Sequence, residues 1–252
     1  MLTVLQTALE VGLIYGLVAL ALFISFSILN IADLSTDGCF TLGCAVGAML
    51  TIAGHPILAL FAAMAAGMLS GYVTAFLQTR LGVESILAGI ISNTGLYTIN
   101  LAVMGFSSNV SITGVDTVFS LFKGLVGGQW SRLILLALIA AVVVIVLIRF
   151  FGTSLGLSIR ATGDSLDMVS ASSINPKATI TIGLCLANAL TALSGCLIGE
   201  YNKFCDINLG TGMVTIALAS LIIGEVFAGH RGVVGKRVVC VVLGSIVYRF
   251  II

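Results

Sequence analysis

The chain has 252 residues, of which 59% are hydrophobic and 8% are charged. Soluble domains carry about 25% charged residues, so this composition excludes a soluble domain and predicts a polytopic membrane protein. The 11 basic and 10 acidic residues nearly balance, which argues against nucleic-acid binding and against a polyanionic substrate.

Apolar runs of membrane-spanning length recur along the whole chain. A bilayer core about 30 Å thick needs about 20 apolar residues per helix. The pattern therefore predicts an all-α membrane bundle with about eight spans, at residues 3–29, 36–54, 56–79, 85–105, 132–150, 176–200, 210–228 and 233–252. Residues 106–131 form the longest connection, with room for a short interfacial helix near Phe119–Leu125.

Basic residues indicate which loops face the cytoplasm, where lysine and arginine are in excess. They cluster in two loops, with Arg149, Arg160 and Lys177 around the first and Arg231, Lys236 and Arg237 in the second. Two spans separate these loops, so both can lie inside. Counting spans back places Arg80 and residues 30–35 inside, and residues 106–131 and the N-terminus outside.

The last apolar run reaches Ile252 without a polar flank. We therefore expect residues 1–252 to form one transmembrane domain that is cut short at its C-terminus and has nine or more spans in the full protein. Eight spans leave the C-terminus outside, and one more brings it inside.

Four predicted spans carry pairs of glycines four residues apart. In lipid, helices associate through close packing of small residues. A tightly packed bundle is therefore predicted by the pairs Gly12 and Gly16, Gly43 and Gly47, Gly67 and Gly71, and Gly195 and Gly199.

A first polar break, LNIADLSTDG at residues 29–38, places two carboxylates between apolar helices with almost no loop. Irregular backbone at membrane depth must be buried in protein or face a cavity. Asp33 or Ser35 is predicted to cap the second span by accepting hydrogen bonds from its free amides. Alternatively, Asp33, Ser35 and Asp37 line a translocation pathway or a cytoplasmic gate.

A second break, EYNKFCDIN at residues 200–208, repeats the plan of a long helix, a polar interruption with an aspartate, and a glycine-bearing helix. Two such units in opposite orientation are typical of an inverted repeat around a central pathway. This adds Asn202 and Asp206 to the pathway candidates.

Polar residues also occur inside the spans. Asn93 and Asn100 are seven residues apart on one helical face, where they line the pathway or hydrogen-bond between helices. We include Asn93 among the pathway residues. Glu225, near the inner end of its span, is predicted to pair with Arg231 or Lys236.

The polar segment at residues 152–177, GTSLGLSIRATGDSLDMVSASSINPK, stands out between apolar helices. It predicts a turn at 161–163, then a short helix with Asp164 or Ser165 at its N-cap, and a stop before Asn175 and Pro176. Pro176 then begins the next helix at its first position. Such a helix either presents a face to a soluble partner or packs under its own bundle.

Catalytic motifs are missing from the sequence. It contains no HExxH and no GxSxG, and the six cysteines form no CxxC pair. The run GHRGVVGKR at residues 229–237 has its first glycine one residue out of place for a phosphate-binding loop, and Arg237 replaces the required Ser or Thr. We therefore predict no enzymatic activity and no cofactor in this chain, so that ATP, if used, is hydrolysed by another subunit.

Three stretches resemble a known family. They are ILNIADLSTDGCFTLG at 28–43, GLSIRATGDSLDMVSASSINP at 156–176 and LIIGEVFAGHRGVVG at 221–235. The chain is similar to permease subunits of ABC importers of the branched-chain amino acid and ribose type, and the first stretch is similar to the tryptophan/tyrosine permease subgroup.

The resemblance implies a transporter built from several chains in the bacterial inner membrane. Two permease subunits would pair as a homodimer, two cytoplasmic ATPases would bind ATP and Mg²⁺ and dock below, and an extracytoplasmic binding protein would deliver a small solute, an amino acid and specifically an aromatic one. Residues of the polar segment would then form the ATPase-coupling helix: Arg160, Ala161, Thr162, Gly163, Asp164, Leu166, Asp167 and Val169. The alternative is an ion-coupled secondary transporter, with Asp33, Asp37 or Glu225 binding a proton or sodium.

Overall fold

The computed structural model describes residues 2–127, 130–172, 174–229 and 234–252. In chain order the elements are α1 Leu2–Leu22, which continues as a π-helical turn at Phe23–Ile28, α2 Thr36–Ile52, α3 Pro56–Thr79, α4 Ser85–Val103, β1 Asn109–Ser111, α5 Val118–Val126, α6 Ser131–Phe151, α7 Ser154–Asp164, α8 Leu166–Ala171, α9 Pro176–Asn202, β2 Phe204–Asp206, α10 Met213–Ala228 and α11 Val234–Ile251. The predicted all-α membrane bundle is confirmed, with a helix at each of the eight predicted spans.

The helix α9 is the centre of the bundle. It packs against α1, α2 and α3, and small residues such as Ala189, Ser194 and Gly195 are buried along it. By contrast, α3, α4 and α6 are long and apolar enough to cross a membrane but expose most of their surface. These three helices therefore form the periphery of the described bundle.

Glycine pairs bring the backbones of the inner helices together, as their spacing predicted. A Cβ at Gly43 would overlap the Ala192 carbonyl, and one at Gly195 would overlap the Phe40 carbonyl. A Cβ at Gly71 would lie 2.5 Å from the Leu184 oxygen. The contacts place α2 and α3 directly against α9, so these glycines serve helix packing.

Two helices begin inside the bundle rather than at its ends. α2 and α10 have 17 and 16 residues, or about 26 and 24 Å of helix, which is less than a bilayer core of about 30 Å. α2 begins near the middle of α9, where the Cys39 thiol donates to the Asn188 carbonyl at 3.3 Å. α10 begins beside α2, because the Gly210 amide donates to Thr41 Oγ1 at 3.1 Å.

The chain reaches these two helix starts from opposite ends of the bundle. Residues 29–35 rise from the end where Ile28 meets Gly163 of α7. Residues 203–212 descend from the other end, where Glu200 joins Thr51 and Val118. Broken helices were predicted, and this opposite approach is the arrangement that an inverted repeat requires.

Six of the ten basic residues in the described part of the chain lie at one end of the bundle, whereas Lys123, Arg132, Lys203 and Arg249 lie at the other. Arg80 and Lys177 line one surface cavity, and Arg237 contacts Ser27 at the end of the π-helical turn. By the excess of positive charge this is the cytoplasmic end. The opposite end carries α5 and the two-stranded ribbon in which Val110 pairs with Cys205.

The predicted turn at 161–163 is wrong, because α7 continues through it to Asp164. Thr162 hydrogen-bonds Ser158 O and Thr179 Oγ1, and a side chain at Gly163 would overlap the Ile28 carbonyl, so this glycine serves close packing. The helix breaks at Ser165, whose side chain caps α8 by accepting from the Met168 amide. Asp164 as N-cap was wrong, and Ser165 was right.

The restart of the chain after this segment follows the prediction. Asn175 is the N-cap of α9 and accepts from the Lys177 amide at 3.1 Å, while Pro176 takes the first helical position. Proline suits that position because its missing amide would be unpaired there in any case.

Candidate functional site

A cavity of about 310 Å³ lies where α2 and α10 begin. Its polar wall comes from the first turns of α2 and from one face of α4: Asp37, Thr41, Asn93, Thr94, Tyr97 and Asn100. The segment before α10 adds Ile207, Asn208 and Thr211. The cavity therefore lies between the two broken helices.

Asp37 joins the two helix starts. It lies in the first turn of α2, and its Oδ2 and Oδ1 accept from the Gly212 and Val214 amides at 3.1 and 2.9 Å. It therefore caps α10, supplying acceptors for amides that a helix N-terminus leaves unpaired.

Asp33 holds the first break in place. The side chain is 3% exposed; its Oδ1 accepts from the Ser35 amide and hydroxyl at 2.9 and 2.6 Å, and its Oδ2 accepts from Asn188 Nδ2 at 2.8 Å. Asp33 therefore holds the residue that precedes α2, and neither Asp33 nor Ser35 makes the predicted side-chain cap bond to an amide of α2. Neither residue is among those that line the cavity.

Asn100 links α4 to the start of α2. Its Nδ2 donates to the Gly38 carbonyl at 3.0 Å, which is the interhelical hydrogen bond considered for this residue. Its Oδ1 is buried and has no hydrogen-bond partner among the described residues. Asn93 lies beside the same glycine, since a Cβ at Gly38 would come within 2.6 Å of Asn93 Oδ1.

Asn202 and Asp206 lie away from this cavity. Asn202 is exposed at the end of α9. Asp206 pairs with Asn109 in the ribbon, and its carboxylate accepts from the Asn208 amide at 2.8 Å. Of the six predicted pathway residues, the cavity therefore brings together Asp37 and Asn93.

Sequence reasoning missed several cavity residues, most clearly Tyr97. Asn93, Tyr97 and Asn100 follow the i, i+4, i+7 spacing of one helical face, so the pattern could have included the tyrosine. Thr211 and Asn208 gave no such signal because they precede α10 in irregular structure.

The polar segment has two faces. Thr162 and Val169 are buried against the bundle, and Ala161 and Gly163 are half-buried. The opposite face exposes Arg160, Asp164, Leu166, Asp167 and Met168, with Leu166 at 54% and Met168 at 61%. Met168 was missed because only the three-residue spacing of Leu166 and Val169 was considered. We call this exposed set the α7–α8 surface.

Glu225 pairs with Arg237 rather than with the predicted partners. The Arg237 Nη2 to Glu225 Oε1 distance is 2.5 Å, and Ser27 joins the same pair. Pairing with Lys236 was therefore wrong, since Arg237 reaches back along the inner end of α1. Arg231 lies outside the described residues.

Comparison with known proteins covers nearly the whole chain. Residues 4–251 match a family model described as the permease component of branched-chain amino acid transport systems. A tyrosine transport system permease protein of Clostridioides difficile is 33% identical over 242 residues, which cover 96% of this chain and 79% of that protein. An uncharacterised protein of Rickettsia prowazekii is 34% identical over 222 residues, or 88% of this chain and 77% of that protein. No solved structure gives a significant match.

The contact between Asp33 and Asn188 gives the first testable prediction. Asn188→Leu removes the donor to a buried carboxylate, so we expect the free energy of unfolding in detergent to fall by about 1.5–3 kcal/mol. The exchanged pair, Asp33→Asn with Asn188→Asp, keeps one carboxylate and one amide at the same contact and should recover much of that loss. A single leucine variant as stable as the unchanged protein would contradict this role for Asn188.

Proposed function

The chain belongs to the permease family of branched-chain amino acid transport systems, and on that premise we propose that it is the membrane-spanning subunit of an ATP-driven importer for an amino acid. The single observation that carries the proposal is the family match over residues 4–251. The geometry supports it, because two helices broken from opposite ends frame an open polar cavity. Such breaks are typical of alternating-access transporters.

An aromatic amino acid is the proposed substrate. Support comes from the relative named as a tyrosine transport system permease protein, which covers almost all of this chain. Within the bundle, Asp37 and Asn93 are assigned to the pathway. Asp33 and Ser35 hold the break beneath it, and Asn202 and Asp206 contribute to the extracytoplasmic rim.

The energy source is proposed to be a partner ATPase docked on the α7–α8 surface. Its exposed Leu166 and Met168 would enter a partner groove, with Arg160, Asp164 and Asp167 at the polar rim, as apolar anchors do in protein interfaces. Thr162, Gly163 and Val169 fasten the segment to α1 and α9, so that a movement of the ATPase would be transmitted to the broken helices. ATP and Mg²⁺ would be held by that partner.

The complete importer is proposed to contain two copies of this permease, two ATPase subunits and an extracytoplasmic binding protein, in the bacterial inner membrane. Two of the three carboxylates considered for the ion-coupled alternative, Asp33 and Glu225, have partners within the bundle, whereas Asp37 lines the cavity. Asp33 is engaged by Asn188, and Glu225 is paired with Arg237.

Uptake by reconstituted vesicles tests the proposed function. With the proposed partner ATPase and binding protein present, tyrosine uptake should require internal ATP and should stop when the catalytic residues of the ATPase are inactivated. A sodium or proton gradient without ATP should drive no uptake. Uptake that persists in vesicles lacking the ATPase would contradict the proposal.

Docking on the α7–α8 surface is tested by charge placed on its apolar anchors. Leu166→Asp with Met168→Asp should abolish co-purification of the ATPase, because two carboxylates would be forced into an apolar groove. Arg160→Glu with Asp164→Ala should weaken it.

The matched control for docking makes the same chemical change at the opposite end of the bundle, where Phe106 and Leu121 are exposed by 78% and 43%. Phe106→Asp with Leu121→Asp should leave co-purification unchanged. Equal retention of the ATPase by both double variants would exclude the α7–α8 surface as the docking site.

A further inference from the structure

The cavity between α2, α4 and α10 is rich in hydrogen-bond acceptors. Asp37 contributes a carboxylate, and Asn93 and Asn100 contribute side-chain amides. No lysine, arginine or histidine is found among the described residues that line it. The wall therefore favours a ligand that brings donors and positive charge.

Asn100 provides the most specific observation. Its Nδ2 must face the Gly38 carbonyl, because the opposite amide orientation would bring two acceptor oxygens together at 3.0 Å. This fixes Oδ1 as the free acceptor, on a side chain that is only 1% exposed. A buried acceptor without a donor costs free energy, so a ligand that donates here removes an existing penalty.

Asp37 supplies the charge. Its two oxygens each accept one amide hydrogen from the start of α10, while a carboxylate offers about four acceptor positions. Acceptor capacity therefore remains on a carboxylate that lines the cavity.

A primary ammonium group matches this arrangement. It carries one positive charge and three donors, enough to engage Asp37 and Asn100 together, and the ring of Tyr97 provides an aromatic wall that also attracts cations. By contrast, a metal ion that has lost its bound water would need about six oxygen ligands from the cavity wall. The volume of about 310 Å³ is at the lower end of ligand pockets and suits a small solute.

We propose that this cavity binds the transported solute by its primary ammonium group, through Asp37 and the free Asn100 oxygen. The inference rests on the proposed function and deepens it. It assigns the permease itself a selective site for amines, apart from any selection by a binding protein.

The test places a reporter cysteine in the cavity wall of the purified permease. Thr94→Cys lines the cavity, and Thr98→Cys, one turn further along α4 and not among the lining residues, is the control; both positions are exposed. Cys185, which is only half-buried, is replaced by alanine in every variant to lower the background. Labelling rates are measured with a cationic and an anionic methanethiosulfonate of similar size.

The expected labelling pattern has two parts. The cationic reagent should be favoured at Thr94→Cys several-fold more than at Thr98→Cys, and Asp37→Asn should remove that preference while retaining an acceptor oxygen for α10. Tyramine and tyrosine should slow the labelling of Thr94→Cys, whereas 3-(4-hydroxyphenyl)propionate, which lacks the amine, should not. Asn100→Leu should weaken protection by tyramine.

Equal protection by the compound without an amine would overturn the proposal, as would protection by sodium chloride beyond that of potassium chloride. Melting temperatures of all variants show whether each is folded. If Asn100→Leu does not fold, the comparison of tyramine with the amine-free compound decides alone. The measurement uses no ATPase, so its failure is distinguishable from a failure of ATP-driven uptake.

Discussion

The carboxylate of Asp37 joins the first turns of α2 and α10, and the interior of the bundle depends on this junction. Neither helix is long enough to cross a bilayer, so each exposes a helix start at membrane depth, where unpaired amides are costly. The Asp37 side chain meets this need for α10 and ties it to α2, since it belongs to α2 and accepts from the Gly212 and Val214 amides at the start of α10. The cavity exists because the two starts meet here rather than at the membrane surfaces.

A second carboxylate, Asp33, fixes the depth at which α2 begins. Its contact with Asn188 ties the first break to the middle of α9, and the glycine contacts of Gly43 and Gly195 hold α2 against the same helix. Below them, Gly163 packs α7 onto the end of α1. A continuous set of contacts therefore runs from the α7–α8 surface to the start of α2, which is the path along which the proposed ATPase would act.

Much of this architecture could be predicted from local patterns. Apolar length gave the eight helices, and the N-cap at Ser165 and the restart at Asn175 and Pro176 followed from residue type alone. The two breaks could be predicted because a charged side chain is costly within a membrane span, so an aspartate in an apolar run indicates an interruption of the helix. Local patterns failed where a residue serves a distant contact, as when Gly163, interpreted as a turn, proved to be a packing glycine inside α7.

Partners distant in sequence could not be predicted from a single chain. The bond from Gly212 to Asp37 spans 175 residues, and nothing near either residue indicates the other. The partner of Glu225 was predicted wrongly because the sequence alone does not distinguish Arg237, which forms the ion pair, from the basic residues beside it. The most direct test of the central account is the side from which Thr94→Cys in the assembled transporter reacts with a membrane-impermeant thiol reagent. The account predicts that trapping the ATPase in its ATP-bound state switches the reactive side; reactivity from the same side in both states would contradict it.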